Sequence, residues 1–123
     1  MAYHGWVAEQ IPSSICEIQT TTDELSASLV IRDRLVESKL TPCVKIQPGC
    51  QSTYFWEGAW RNAQEYVLTA LVPEAHLEQL VSIIKSAHNY TNPEIIARRL
   101  TVLSSDYASW IHDSLVELQS SQS

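Results

Sequence analysis

Several residue types that mark particular functions are scarce in this sequence. Three glycines cannot build a glycine-rich phosphate loop, and no apolar run approaches the roughly 18 residues of a membrane-spanning helix. Eight lysines and arginines against 14 acids give a net charge of −6, which disfavours binding to nucleic acid or to an anionic membrane. The three cysteines form no Cys-x-x-Cys pair, so neither a disulfide framework nor a structural zinc site is expected.

The remaining composition indicates one globular domain. The chain has 123 residues, of which 45% are hydrophobic, enough to bury a core. We expect an N-terminal extension at residues 1–13, a single domain at 14–118 and a frayed tail at 119–123. The first residues carry no cationic start or continuous apolar core, so they do not resemble a signal peptide. Together with unpaired cysteines, this predicts a cytoplasmic protein.

The order of elements predicts the fold class. Strand-forming residues predict strands at 14–21, 43–47, 53–56, 66–72 and 94–102. Helical spacing predicts helices at 23–39, at 73–88 and from 105 to 118, the last capped by Ser105 and Asp106. The order βαββαβ plus a helix is typical of an α+β, ferredoxin-like sandwich with an antiparallel sheet and an additional C-terminal helix.

Apolar spacing also predicts which side of each helix faces the core. On the first helix Leu25, Leu29, Arg32 and Val36 repeat at helical spacing, as do Val30 and Leu35 beside them. For the second helix they are Leu77, Leu80, Val81, Ile84 and Ala87. For the last helix they include Tyr107, Trp110, Ile111 and Leu115, with Trp110 as part of the core.

The segment from His88 to Ile96 holds the densest group of polar functional side chains. An imidazole, a phenol and a carboxylate, from His88, Tyr90 and Glu94, surround Pro93 where a helix gives way to a strand. One interpretation is a helix stop, in which His88 is hydrogen-bonded as a structural latch. The other is a binding site held in place by the stiff turn.

A second feature is an aromatic hairpin. Tyr54, Phe55, Trp56 and Trp60 lie close to the turn expected at Glu57-Gly58. The helices cover only one face of the predicted sheet, so an aromatic surface is expected to be exposed. Such surfaces usually mark interfaces, and a symmetric homo-oligomer would bury this one.

The ordered set of motifs resembles the CutA-type divalent-cation-tolerance proteins, over about residues 15–118. The motifs are Asp23, Leu40-Thr-Pro-Cys43-Val44, Pro48-Gly49, Ser52-Thr-Tyr54, Trp56-Glu-Gly58, His88-x-Tyr90, Pro93-Glu94-Ile95-Ile96 and Tyr107-x-x-Trp110. The resemblance implies a ferredoxin-like subunit in a tight, PII-like homotrimer. It also implies a metal or anion site in the clefts between subunits.

The match at the functional positions is incomplete, which indicates a divergent member. His88, Tyr90, Pro93 and Glu94 stand where the family has the same residue types. Departures from the family pattern occur at Thr20, Ala59, Leu71, Asn89 and Thr91. The family has a cysteine at the first of these positions, basic residues at the next two, and a proline and an acidic or amide residue at the last two.

These observations predict a ligand site and a metal site. We expect Tyr90, Glu94, Tyr54 and Trp56 to bind a ligand, such as a small anion. We expect His88, Glu94 and Cys43 to hold Cu or Zn weakly, since imidazole, thiolate and carboxylate are the ligands that these ions take. Cys43 is otherwise a small buried hydrophobic residue.

No nucleophile stands beside an evident base, so we expect no enzymatic activity. The predicted function is that of a trimeric protein of divalent metal cation tolerance, which binds a metal ion or small ligand between subunits. One alternative is a small enzyme that uses His88, Tyr90 and Glu94. The other is a structural trimeric scaffold without a ligand.

Overall fold

A computed structural model describes residues 14–121 of the chain. The extension predicted at residues 1–13 and the end of the predicted tail, residues 122–123, lie outside the described residues. Elements in chain order are β1 (Ile15–Thr22), α1 (Leu25–Ser38), β2 (Val44–Trp56), β3 (Ala59–Pro73), a 3₁₀ turn (Glu74–His76), α2 (Leu77–Ala87), β4 (Ile95–Arg99) and α3 (Ser105–Ser120). None of the helices in this range is long and apolar enough to cross a bilayer.

The four strands form one antiparallel sheet in the order β2–β3–β1–β4. The predicted α+β, ferredoxin-like plan is therefore confirmed. The strand predicted at 94–102 is wrong at its end, because β4 stops at Arg99 and the Leu100 N–H makes a last hydrogen bond to Ile15. The strands predicted at 43–47 and 53–56 are a single strand, β2, and β3 begins at Ala59 rather than at residue 66.

The core lies between one face of this sheet and the helices α1 and α2. On β1 the even-numbered residues Cys16 and Ile18 face the core, whereas the odd-numbered Glu17, Gln19 and Thr21 point to the other face. The buried cluster consists of Cys16, Ile18, Ile31, Leu35, Leu68, Ala70, Val72, Leu80 and Ile84. The face opposite the core, which we call the open face, carries the polar alternate residues of β1.

The core side predicted for α1 is correct only in part, because Leu35 is buried and Leu29 is half-buried. Leu25, Val30 and Val36 are exposed, and the buried residues are Ala27, Ser28, Ile31 and Leu35. The predicted core side of α2 is confirmed, with Leu80 and Ile84 buried and the rest of the stripe partly buried.

The aromatic residues of α3 also differ from the prediction. Tyr107 and Trp110 are exposed and stack on each other, with ring centroids 5.4 Å apart, while Ala108 and Ile111 are buried. Trp110 is therefore not a core residue. The helix is capped by Ser104, whose hydroxyl accepts a hydrogen bond from the Tyr107 N–H, rather than by Ser105 and Asp106. The helix also continues to Ser120, beyond the boundary predicted at 118.

Candidate functional site

A cavity of about 690 Å³ lies beside the open face of the sheet. One wall is the outer part of the β2–β3 hairpin, and the other is the turn that joins α2 to β4, which ends with Glu94. Thr21 of β1 also lines the cavity. The lining residues are Thr21, Ser52, Thr53, Tyr54, Trp56, Glu65, Asn89, Tyr90, Thr91, Asn92 and Glu94. The volume lies within the range of about 300–1,000 Å³ that is usual for small-molecule sites.

A β-bulge in β2 decides which hairpin residues face the cavity. Gln47 pairs with Val67 and Cys50 pairs with Glu65, so Pro48 and Gly49 together oppose a single residue of β3. Gly49 has a φ of +80°, a conformation that glycine adopts easily and side chains with a Cβ rarely do. Because the bulge adds one residue, the alternation shifts beyond it.

After the shift, even-numbered residues of β2 share the face of Glu65. Ser52, Tyr54 and Trp56 therefore point to the open face, and Phe55 points to the opposite side, where its ring meets Trp60 edge-on at 5.5 Å. The hairpin ends in a two-residue turn at Glu57 and Gly58, both with positive φ, as is typical of tight hairpins. The turn predicted at these two residues is confirmed.

The centre of the site is the buried carboxylate of Glu65, which is only 8% exposed. The Tyr90 hydroxyl donates to its Oε2 at 2.7 Å, and the Ser52 hydroxyl donates to its Oε1 at 2.6 Å. Burial, followed by the hydrogen bond to Glu65, raises the pKa of the Tyr90 phenol above its usual value. Tyr90 is therefore a neutral donor at physiological pH, and it joins the α2–β4 turn to strand β3.

The turn itself is held by its own side chains. The Thr22 hydroxyl donates to Asn89 Oδ1 at 2.6 Å, and Asn89 Nδ2 donates to Asp23 Oδ1 at 3.0 Å. Asn89 thus ties the turn to the end of β1 and the start of α1.

Both ring nitrogens of His88 are occupied within the subunit. Nε2 donates to the Thr21 carbonyl at 2.8 Å, and Nδ1 accepts from the Tyr90 N–H at 3.0 Å. This pair of bonds requires the neutral imidazole protonated on Nε2. Burial lowers the pKa of His88 from its ordinary value of 6.5, with the Thr21 carbonyl opposing that shift. This geometry agrees with the interpretation of His88 as a hydrogen-bonded structural latch.

We expect His88 to make folding stability depend on pH. The unfolded chain binds a proton on His88 near pH 6.5, whereas the folded chain binds it only at lower pH. The contribution is therefore complete above pH 6.5 and is lost as the pH falls from there through the lowered pKa. Urea unfolding between about pH 8 and about pH 5 should show this loss in the wild type.

Two variants isolate the His88 contribution. His88→Gln keeps an N–H donor for the Thr21 carbonyl but does not titrate, so its stability should change less over the same interval. His76→Gln is the matched control, because the His76 ring is hydrogen-bonded to Gln79 in an exposed position and does not line the cavity. Equal pH dependence in the wild type and His88→Gln would contradict the role given to His88.

The structure brings together the four residues predicted to bind a ligand. Tyr90, Glu94, Tyr54 and Trp56 all line the cavity. The Glu94 carboxylate accepts a hydrogen bond from the Gln19 side chain at 2.8 Å. Ligand binding by these residues stays a prediction. The predicted small anion would meet no lysine, arginine or histidine among the described lining residues.

The three residues predicted to bind a metal are not brought together. His88 has no free ring nitrogen, and neither it nor Cys43 lines the cavity that contains Glu94. Within residues 14–121, no group of three or more histidine, cysteine, aspartate or glutamate side chains is placed to hold a metal ion. The residues of one subunit therefore do not fit the predicted Cu or Zn site.

Two cavity residues, Glu65 and Ser52, were not predicted from the sequence. In the sequence Ser52 has a signal only as part of the Ser52-Thr-Tyr54 motif, and Glu65 lies outside the predicted strands. Of the positions at which the resemblance implies a departure, Asn89 and Thr91 line the cavity. Thr20 instead lies on the core side of β1, where its buried hydroxyl has no partner among the described residues. Both of these cavity residues, Asn89 and Thr91, lie in the α2–β4 turn.

Comparison with known proteins agrees with this architecture. The "Divalent-cation tolerance protein CutA" of Salmonella newport is 32% identical over 105 residues, which are 85% of this chain and 90% of the relative. The crystal structure of CutA from Xylella fastidiosa has a TM-score of 0.77 and 30% identity, and covers 84% of this chain and 99% of that one. The "Periplasmic divalent cation tolerance protein CutA" from Archaeoglobus fulgidus has a TM-score of 0.76 and 28% identity, and covers 82% and 98%.

A sequence profile leads to the same assignment. The profile described as "CutA1 divalent ion tolerance protein" matches residues 16–114. The match extends from β1 into α3 and includes every residue that lines the cavity. The chain therefore belongs to the CutA1 divalent ion tolerance protein family.

Proposed function

We propose that the protein is a cytoplasmic homotrimer that binds a small ligand in the cavity and acts in tolerance of divalent metal cations without catalysis. The observation that carries the proposal is the cavity itself, in which the hairpin and the α2–β4 turn meet around Glu65. The tolerance role is proposed from the names of the relatives.

The trimer is supported by the aromatic hairpin. In the single chain Trp60 is 70% exposed, Phe55 is 60% exposed and Trp56 is 44% exposed. Aromatic side chains of this kind are common anchors of protein interfaces, because they bury a large area with few rotatable bonds. The hairpin also forms one wall of the cavity, so assembly and ligand binding would involve the same segment.

The absence of catalysis is supported by the state of the candidate acid–base groups. His88 is engaged through both nitrogens, and it does not line the cavity. The raised pKa of Tyr90 makes its phenol a poor proton donor or acceptor near neutral pH. These two residues and Glu94 therefore do not form the acid–base set that the alternative enzyme would need.

A divalent cation is the second candidate ligand. Glu65 and Glu94 both line the cavity, and carboxylate oxygens bind such ions. Because His88 is already hydrogen-bonded, we expect Cu²⁺ or Zn²⁺ to bind more weakly than at structural zinc sites. We also expect His88→Gln to leave the affinity unchanged.

Equilibrium dialysis of the purified protein tests the ligand-binding function. Cu²⁺, Zn²⁺, phosphate and a set of small amines and carboxylic acids would each be titrated against the wild type and Glu94→Gln. We expect saturable binding of at least one compound, with affinity reduced in the variant. If none of them bound to correctly folded protein, the scaffold alternative would replace the proposal.

A further inference from the structure

The charges around the cavity are unbalanced within the described residues. Four acids have an arginine partner: Asp33 with Arg32, Glu57 with Arg61, Glu17 with Arg98, and Glu74 with Arg99. The two acids that line the cavity have only neutral partners among the described residues. Glu65 accepts from Tyr90 and Ser52, and Glu94 accepts from Gln19.

The lack of a cationic partner is energetically unfavourable for Glu65 because its carboxylate is buried. Its side chain is more than nine-tenths buried and yet lines the cavity. A buried carboxylate is normally paired with a cation, since neutral hydrogen bonds replace only part of its lost hydration. A carboxylate has about four lone-pair positions, and the two hydroxyl donors occupy one on each oxygen. Acceptor capacity is therefore left for a donor that enters from the cavity.

The remaining lining suits an organic cation better than a bare ion. Tyr54 and Trp56 line the same cavity as the two carboxylates, and aromatic rings attract ammonium and guanidinium groups through their π faces. Thr53, Asn92 and Thr91 add neutral polar groups. A cavity of about 690 Å³ is far larger than a single dehydrated metal ion requires.

We propose that the cavity binds a small organic cation that carries N–H donors, an amine or a guanidinium compound. Its charged group lies against Glu65 and Glu94, and its carbon chain lies against Tyr54 and Trp56. This inference rests on the proposed ligand-binding function and specifies the chemical class of the ligand.

Calorimetric titration with agmatine, which has a guanidinium and an ammonium group, tests the inference. Butyrate, an anion of comparable chain length, is titrated in parallel at about 0.15 M salt, where charges beyond roughly 8 Å are screened. We expect agmatine to bind more tightly than butyrate. Glu65→Gln and Glu94→Gln should each weaken agmatine binding by about tenfold, as expected for loss of a charge-assisted hydrogen bond.

Glu17→Gln is the matched control, because it removes the same charge from the open face at a residue that is paired with Arg98 outside the cavity. Its agmatine affinity should equal that of the wild type. Glu94→Gln keeps the test decisive if Glu65→Gln does not fold, since Glu94 is exposed.

Three results would overturn the inference. They are butyrate binding as tightly as agmatine, no agmatine binding, and agmatine binding that Glu94→Gln does not weaken. Failure of the inference is distinguishable from failure of the ligand-binding function. If another compound in the dialysis series bound in a Glu94-dependent way, the cavity would be a ligand site of different chemistry.

Discussion

Replacing Tyr90 with phenylalanine is expected to lower the free energy of unfolding by about 1 to 3 kcal/mol. The change removes only the hydroxyl that donates to Glu65 Oε2 at 2.7 Å. The buried carboxylate then keeps Ser52 as its one remaining donor among the described residues, and the aromatic packing against His88 is preserved. Urea denaturation at a fixed chain concentration measures the effect, because the stability of an oligomer depends on concentration.

Tyr54→Phe is the control for this prediction. It makes the same chemical change in the same cavity, but Tyr54 is 41% exposed in the single chain and its hydroxyl donates to no buried carboxylate among the described residues. We expect a change in unfolding free energy within about 0.5 kcal/mol, as for most surface substitutions. If both variants were destabilised equally, the hydrogen bond to Glu65 would not be the feature that stabilises the turn.

Replacing Trp56 with alanine is expected to weaken self-association by about 2 kcal/mol or more per interface, as for an aromatic interface anchor. The side chain lies near the end of the hairpin and is 44% exposed in the single chain. Light scattering coupled to size exclusion should give about three times the chain mass of 13.9 kDa for the wild type. At low micromolar concentration the variant should elute as a mixture that contains smaller species.

Val36→Ala provides the comparison for the loss of exposed apolar area. Val36 is 55% exposed on the outer side of α1, away from the hairpin, and its replacement should leave the assembly intact. Dissociation of the Trp56 variant alone would support the hairpin as the interface. A wild-type protein that is monomeric at micromolar concentration would contradict the proposed trimer.

The order of helices and strands could be predicted from local sequence because turn-forming residues separate one element from the next. Thr41-Pro42, Glu57-Gly58 and Pro93 each stand between periodic segments, and each lies outside a helix or strand in the structure. The antiparallel plan follows from that order. The core side of α2 was also predictable, because its apolar residues repeat along one side.

Apolar spacing predicted the orientation of α1 and α3 only in part, because Leu35 and Ile111 are buried as expected but several larger apolar residues are exposed. On α1, larger apolar residues such as Leu25 and Val36 are exposed, while the small residues Ala27 and Ser28 are buried. Close packing around a buried position can select for a small side chain, and a pattern of large apolar residues does not record that requirement. The stacked pair Tyr107 and Trp110 on α3 misled the prediction in the same way.

The cavity was predictable in part. The polar turn and the aromatic hairpin each have a local signal, so Tyr90, Glu94, Tyr54 and Trp56 could be selected before the structure was known. Glu65 has no local signal, since its burial follows from a contact with Tyr90, 25 positions later in the chain. The bulge at Pro48 and Gly49 also changes which hairpin residues face the cavity, and strand alternation alone gives the wrong face beyond it.

The metal prediction illustrates the difference between ligand chemistry and ligand geometry. His88 is a suitable ligand type, but two backbone groups already occupy its nitrogens. Hydrogen bonds to the backbone are invisible in a motif, because they depend on the chain path rather than on residue type. Residue types within the motifs therefore predicted a set of metal ligands that the described residues of the folded subunit do not bring together.

The most direct test of ligand binding in the cavity is to soak crystals of the assembled protein in agmatine and determine the structure. We expect density in the cavity of every subunit, with a nitrogen within about 3.2 Å of the Glu65 or Glu94 carboxylate and the carbon chain beside Trp56. A cavity filled by side chains of a neighbouring subunit, with Tyr90 and Glu94 closed off from solvent, would contradict ligand binding there and make the turn purely structural.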